Sequence, residues 1–312
     1  MHDVLAEVLT LLQLKGSVYC QSEIHKSDWA LQFQHTQGAV FHIVGEGTCY
    51  LITDDHEIRL QQGDLLILPH GTSHQIADKP HAPCCADIDL NQQVQACLMM
   101  RWGDAHPKTT LICGVFTFHP FHRHAIVSLL PPIMYFSASL NAQYGLSRII
   151  DALLDEANGN RHGKNLLLHR LADILFVQVM RAWLADPHNE THGWLGGLRD
   201  PQITQALSAI HAHPDLDWTV EKLATRAMMS RSAFSAKFTD LIGVPPLTYV
   251  TRWRMQLATE MLKDERISVV QIAEKIGYMS DIAFAKAFKR EFGYTPAMYR
   301  RNIPNKSQYP DD

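Results

Sequence analysis

The sequence predicts an α+β protein of more than one domain. It divides into an N-terminal antiparallel β-barrel over 1–137, a helical element and linker over 138–197, and an all-α domain of two helix-turn-helix units over 198–304. Three observations predict this. The first third carries short apolar and β-branched runs broken by Gly, Asp and Asn turns. The middle carries two long amphipathic stripes. The C-terminal part carries a degenerate repeat, in which Phe234, Phe238, Gly243, Pro246 and Tyr249 recur fifty positions on as Phe284, Phe288, Gly293, Pro296 and Tyr299.

Each element has a local reason. Met1 to Gly16 reads as an amphipathic helix; Asp3, Glu7 and the lack of a basic start argue against a secretion signal. Trp29 to Phe33, Gly38 to Val44, Thr48 to Thr53, Glu57 to Leu60 and Asp64 to Leu68 read as strands. Tyr144 to Glu156 carries Leu146, Ile149, Ile150, Leu153 and Leu154 on one side. Leu166 to Ala185 does the same with Leu168, Leu171, Leu175, Val179 and Trp183. Stripes at i, i+3, i+4, i+7 must be buried, against a second subunit or the barrel of the same chain. Asn158 to Lys164 and Asp186 to Gly197 read as loops, the second as the interdomain linker. Asp200-Pro201 then caps a helix.

In the first repeat unit Thr219 and Val220 open a supporting helix and Ser230 caps the next. That helix buries Phe234, Phe238 and Leu241 and is stopped by Gly243. In the second, Val269 to Ile276 is the supporting helix, Gly277 and Tyr278 turn, and Ser280 caps a helix that buries Phe284, Phe288 and Phe292. Between the units, Leu247 to Lys263 reads as one helix with apolar Val250, Trp253, Leu257, Met261 and Leu262. Seventeen residues span roughly 25 Å, enough to hold two heads near successive major grooves on one DNA face. The residues assigned to DNA contact are Arg231, Ser232, Ser235, Ala236 and Lys237 in the first head, with Thr239 on the same stripe. In the second they are Asp281, Ile282, Ala285, Lys286, Lys289 and Arg290. The partner expected is double-stranded promoter DNA.

Charge agrees with this division of labour. Residues 199–306 hold 16 Lys and Arg against 11 Asp and Glu, while residues 1–198 hold 12 against 19, so the basic excess lies where phosphate would bind. No apolar run approaches the roughly 20 residues of a membrane span, and a cytoplasmic protein with no membrane partner is expected. In a reducing compartment Cys20, Cys49, Cys84, Cys85, Cys97 and Cys113 suit free thiols, metal ligation or redox sensing better than structural disulfides. Adjacent Cys84 and Cys85 are poorly placed to pair with each other.

Two resemblances follow from particular residues. Ile272-Ala273-Glu274-Lys275-Ile276-Gly277-Tyr278, then Phe284, Phe288 to Pro296 and Tyr299-Arg300, resemble the DNA-binding signature of the AraC/XylS family. Leu223-Ala224, Ser230-Arg231, Phe234, Gly243, Pro246, Tyr249, Arg254 and Ala258 resemble its first half and linker helix. The small Ser232, Ser235 and Ala236 depart from the longer base-reading side chains of many relatives. Gly63 to His74 resembles the second motif of the cupin superfamily, G-x5-P-x-G-x2-H. The first motif is partial: His35 falls near a ligand position and Gly47 at the closing glycine, while an apolar residue near Val40 stands where cupins carry Glu.

The resemblances imply an effector-responsive activator, a homodimer joined through the middle helices, and RNA polymerase as a further partner. The effector is a small molecule, a metal or an oxidant, its identity unknown. A cupin-type metal-dependent enzyme fused to a DNA-binding domain is the competing class, and the missing Glu argues against it. Phe41 to Val44, His74 and Leu111 to Gly114 resemble the strands of a cupin-bearing sensor. Cys20, His42, His74 and Cys113 are therefore its candidate residues, with His42, His74 and Cys113 the ligands if a metal ion is the cofactor. The same side chains equally suit a packed barrel core, and the sequence leaves both open. His119-Pro120-Phe121-His122-Arg123-His124 is a weaker metal candidate, since a Pro-containing His cluster after a strand reads more readily as an exposed loop.

Overall fold

Long runs of buried residues mark strands covered on both faces, and four of them build the centre of the N-terminal unit. The computed structural model describes residues 3–11, 13–90, 98–103, 109–118, 127, 130–189 and 194–302. The strands are β1 (Lys15–Ile24), β2 (Ala30–Phe33), β3 (Ala39–Glu46), β4 (Thr48–Ile52), β5 (Glu57–Gln61), β6 (Leu65–Leu68), β7 (His74–Ala77), β8 (Cys84–Ile88), β9 (Leu98–Trp102), β10 (Thr109–Thr117) and β11 (Met134–Phe136). They form a six-stranded sheet ordered β11-β6-β3-β10-β1-β9 and a five-stranded sheet ordered β5-β4-β7-β2-β8. Apolar side chains of both, among them Val40, Leu66 and Leu111 from one and Leu31, Phe33, Leu51 and Ile76 from the other, share one core.

The expected closed antiparallel barrel is corrected to two mixed, unclosed sheets. β9 runs parallel to β1 and β8 parallel to β2. Alternation along a strand reports which residues face the core; it carries no information on the direction of the neighbour, which tertiary pairing decides. Strand β1 was also not expected, because polar Gln21 and Ser22 interrupt its pattern; both are buried.

The helices α2 (Ala138–Gln143), α3 (Ser147–Asn158) and α4 (Lys164–Ala185) follow. Helix α4 packs along β1, and Gly16 N donates to Asp173 Oδ1 at 2.7 Å. This packing covers the outer face of the six-stranded sheet, with Phe116 of β10 edge-on to Phe176 at 4.9 Å. Buried Asp64 ties the cupin-type turn to α2: it accepts from Tyr135 Oη at 2.8 Å and from Ala138 N at 2.9 Å.

Contacts divide the chain into two units, with α3 and α4 grouped with the sheets. The other unit contains α1 (Val4–Leu11), α5 (Trp194–Arg199), α6 (Pro201–Ala212), α7 (Val220–Arg226), α8 (Arg231–Ile242), α9 (Pro246–Met261), α10 (Val269–Lys275), α11 (Asp281–Phe292) and α12 (Pro296–Asn302). Helix α5 corrects the last four residues of the expected loop over Asp186 to Gly197, while 186–189 are irregular as expected; buried Leu195 holds the helix in the core of this unit. Helix α1 packs against α6 and α9, where Glu7 Oε2 meets His211 Nδ1 at 3.0 Å. His211 Nε2 meets Tyr249 Oη at 2.9 Å, and the His211 ring stacks on Trp253 at 3.6 Å.

The repeat is a repeat of core and caps. Phe234 and Phe238 stand 5.4 Å apart with Tyr249 edge-on to Phe238 at 5.8 Å. Phe284 and Phe288 stand 5.6 Å apart with Tyr299 edge-on to Phe288 at 5.4 Å. Gly243 and Gly293 close α8 and α11 in the left-handed conformation. In α8 the third core position is Ile242, not the expected Leu241, which is half-buried. Helix α9 also buries Met255 and Ala258 beside the expected Val250 and Trp253.

Candidate functional site

Local hydrogen bonding builds both heads alike. Thr219 and Ser268 cap the supporting helices α7 and α10, and Ser230 and Ser280 cap the outward helices α8 and α11. The supporting caps are forty-nine residues apart and the outward caps fifty, so the second turn is one residue longer. The turns correspond otherwise: Met229 N donates to Ala224 O at 2.9 Å and Tyr278 N to Ala273 O at 2.8 Å. Met228 (φ 52) and Gly277 (φ 80) hold the same left-handed position. The added residue is Met279, which is fully exposed.

Two arginines hold the heads in the same way. Arg254 on α9 donates through Nε to Pro214 O at 2.7 Å and through Nη2 to Leu216 O at 2.8 Å, pinning the segment that leads into α7. Arg300 on α12 donates to Leu262 O at 3.2 Å and Ile267 O at 2.7 Å, pinning the segment that leads into α10. Both positions were legible only through the family signature, and their role is to fix the angle of the supporting helix.

The assigned contact residues fall as follows. On α8, Arg231, Ser232 and Ala236 are exposed and Ser235 and Thr239 half-buried; Arg231 Nε also meets Glu221 Oε1 at 2.9 Å. Lys237 is turned toward α6, with Nζ 2.5 Å from Asp200 Oδ2 and 3.0 Å from Gln202 Oε1. Its ammonium thus neutralises the N-cap of α6, which spacing alone does not reveal. On α11, Asp281, Ile282, Lys286, Lys289 and Arg290 are exposed and Ala285 is half-buried.

In the other unit the four candidate sensor residues come together. His42, Cys113 and Cys20 sit directly opposite one another on the neighbouring strands β3, β10 and β1, forming one row across the sheet. A register shift between Val18 and Cys20 puts consecutive Tyr19 and Cys20 into the same core, both lying against Cys113. His42 Nδ1 is 3.0 Å from Cys113 Sγ, His42 Nε2 is 2.7 Å from His74 Nε2, and His74 Nδ1 is 2.7 Å from Thr72 O. Phe33 packs on both rings, 4.7 Å from His42 and 4.9 Å from His74. Thr72, Tyr19 and Phe33 carry no sequence signal for this role, because only register and the meeting of two sheets bring them in.

The protons of the row follow from one carbonyl. Burial pushes His74 down to about 4 and, with His74 alongside, holds His42 well below the usual imidazole range, so both rings are neutral. Thr72 O accepts, so the His74 proton is on Nδ1 and its Nε2 is bare. His42 must then donate from Nε2, which leaves its Nδ1 to accept from the Cys113 thiol. Burial, with Cys20 beside it, pushes the Cys113 thiol up, and burial, with Cys113 and Cys20 alongside, raises Tyr19 as well.

Tetrahedral ligands about 2.0 Å from a metal stand more than 3 Å apart, wider than the His42–His74 bond. Among the described residues no group of three His, Cys, Asp or Glu side chains is placed to hold a metal ion. His35 is exposed. Cys49 is buried, Cys84 and Cys85 are exposed, and Cys85 Sγ lies 2.9 Å from Lys26 Nζ. Cys97 and the run from His119 to His124 lie outside the described residues. Among the described residues no helix is long and apolar enough to cross a membrane.

Comparison with known proteins agrees with both halves. Residues 3–185 match the family described as Cupin and residues 223–302 the Helix-turn-helix domain family. The chain is 32% identical over 303 residues to a putative AraC-like transcription regulator of Streptomyces lividans, covering 96% of this chain and 98% of that one. It is 30% identical over 308 residues to a second, from Streptomyces antibioticus, covering 96% and 99%. Among solved structures it resembles the DNA-binding domain of AdpA in complex with a target DNA, at 31% identity and a TM-score of 0.33 over 36% of this chain and 99% of that one. Both relatives carry the name of a transcription regulator. The chain belongs to the AraC-like transcription regulators, with a cupin N-terminal module followed by a DNA-binding helix-turn-helix module.

Proposed function

We propose that this regulator binds promoter DNA in the bacterial cytoplasm as a homodimer, with α8 and α11 as its reading helices. There it activates transcription by contact with RNA polymerase, in response to an oxidant sensed by Cys20 and Cys113. The observation that carries the DNA reading is the pair of capped helices that turn exposed faces outward: Arg231, Ser232 and Ala236 on one, Lys286, Lys289 and Arg290 on the other. A helix presented this way fits the major groove, with Lys and Arg within reach of phosphates. Exposed Leu166, Leu167 and Ile174 on α4 support that helix as the dimer contact, since its other side is already buried against β1.

The oxidant reading rests on the row. Cys20 and Cys113 are opposite residues of an antiparallel pair, within the separation that a disulfide spans. Oxidation would join the two sulfurs and release two protons, with two electrons passing to the oxidant. A metal effector is less well supported, because the ring nitrogens already bond to one another and to Thr72.

Selection of duplexes from a random library by the full-length reduced protein tests the DNA reading. A shared sequence should be enriched, and its affinity should fall steeply with added salt as counterions are released. Equal retention of all duplexes would overturn it.

A further inference from the structure

A reading helix contacts base edges mainly through its N-terminal residues. In α11 that end is apolar. Met279, the residue added to the second turn, and Ile282 are 103% and 65% exposed, and Ala283 beside them is exposed too. The one charged side chain there, Asp281, directs Oδ1 at the amide of its neighbour Ile282 at 2.9 Å, and Ser280 Oγ accepts from Ile282 N and Ala283 N. The polar groups of the tip thus serve the cap, and the side chains left to face a groove are a thioether and aliphatic methyls. The first head differs: no residue is inserted directly before its cap, its exposed Met228 lies one step further back at the left-handed position of the turn, and Ser232 holds the place of Ile282 two residues past the cap.

Hydrogen-bonding edges distinguish base pairs by donors and acceptors, which Met and Ile cannot read. The single apolar feature of the major groove is the C5 methyl of thymine. We propose that Met279 and Ile282 are specificity-determining residues that read thymine methyls beneath the second head, and that the first head has no equivalent. The binding site is then asymmetric, with its thymine requirement strongest at the end under the second head, since the first offers only the short Ala233 and Ala236 on its exposed face. This rests on α11 being a DNA-reading helix.

The test uses full-length protein and a duplex enriched from a random library. Each thymine is replaced singly by deoxyuridine, which removes the methyl alone. Loss of one buried methyl weakens binding about fourfold, and this is expected at one or two thymines at one end of the site. Met279→Ala and Ile282→Ala should each bind the thymine duplex more weakly and lose the deoxyuridine effect at the position each reads. Both residues are exposed, so thermal melting should not change. An enriched sequence whose affinity is indifferent to deoxyuridine, or an effect that persists in both variants, overturns the thymine reading while leaving DNA recognition by the heads intact. Failure to enrich any sequence overturns the DNA reading and this inference with it.

Discussion

The Nε2 atoms of His42 and His74 lie 2.7 Å apart, one ring reaching across from each of the two sheets. With His42 donating and His74 Nδ1 held by Thr72 O, the bond needs a bare His74 Nε2, so it links the closed core to the protonation of His74.

The sign of the resulting pH dependence follows. Folded His74 titrates at about 4 and the unfolded side chain at 6.5, so the unfolded chain takes up the proton first as pH falls. Its contribution is complete above pH 6.5 and is lost between 6.5 and 4, amounting to about 3 kcal/mol. Urea unfolding of the sheet unit from pH 7.5 to 4.5 should show this loss in the wild type. In His74→Gln the slope over that window should flatten; an unchanged slope would show that other groups set it.

For the thiol pair, Cys113→Ser and Cys20→Ser should leave DNA binding by the reduced protein intact and abolish the response to hypochlorite or peroxide in a promoter-reporter assay. Ser keeps the volume but does not oxidise to a disulfide. Thiol counting should show two fewer reactive thiols after oxidation of the wild type and no such change in either variant. A Cys113→Ser protein that melts lower, by around 1 kcal/mol, and still responds would make the row a packed core and nothing more.

On α11, Lys289→Ala should weaken binding to enriched and random duplexes alike, the mark of a phosphate contact. Lys286→Ala should in addition relax sequence preference by roughly 1 to 3 kcal/mol. Competition titrations at fixed salt separate the two, and equal losses on both kinds of DNA for both variants would misplace the groove face.

Along α4, Ile174→Glu places a charge on an exposed apolar side chain. It should leave the melting temperature nearly unchanged and convert a dimer to a monomer in light scattering. A dimer that survives both Ile174→Glu and Leu167→Glu would remove α4 from the interface.

Local chemistry by itself determined the C-terminal architecture of this protein. Asp200, Thr219, Ser230, Ser268 and Ser280 cap helices because their side-chain oxygens satisfy amides two or three residues away, and Gly243 and Gly293 close them because the left-handed turn is cheapest without a Cβ. The repeat stood out because each head must bury its own Phe, Phe and Tyr cluster, whereas groove-facing residues are free to diverge. Tertiary structure decided what depends on neighbours distant in the chain: the parallel direction of β8 and β9, the burial of β1, the turning of Lys237 onto Asp200, and the row from Cys20 to Thr72. Cys20, His42, His74 and Cys113 could be named from motifs, but their order and protonation are set by strand register, one bulge and the carbonyl of Thr72. Those quantities are relations between segments, and no single segment contains them.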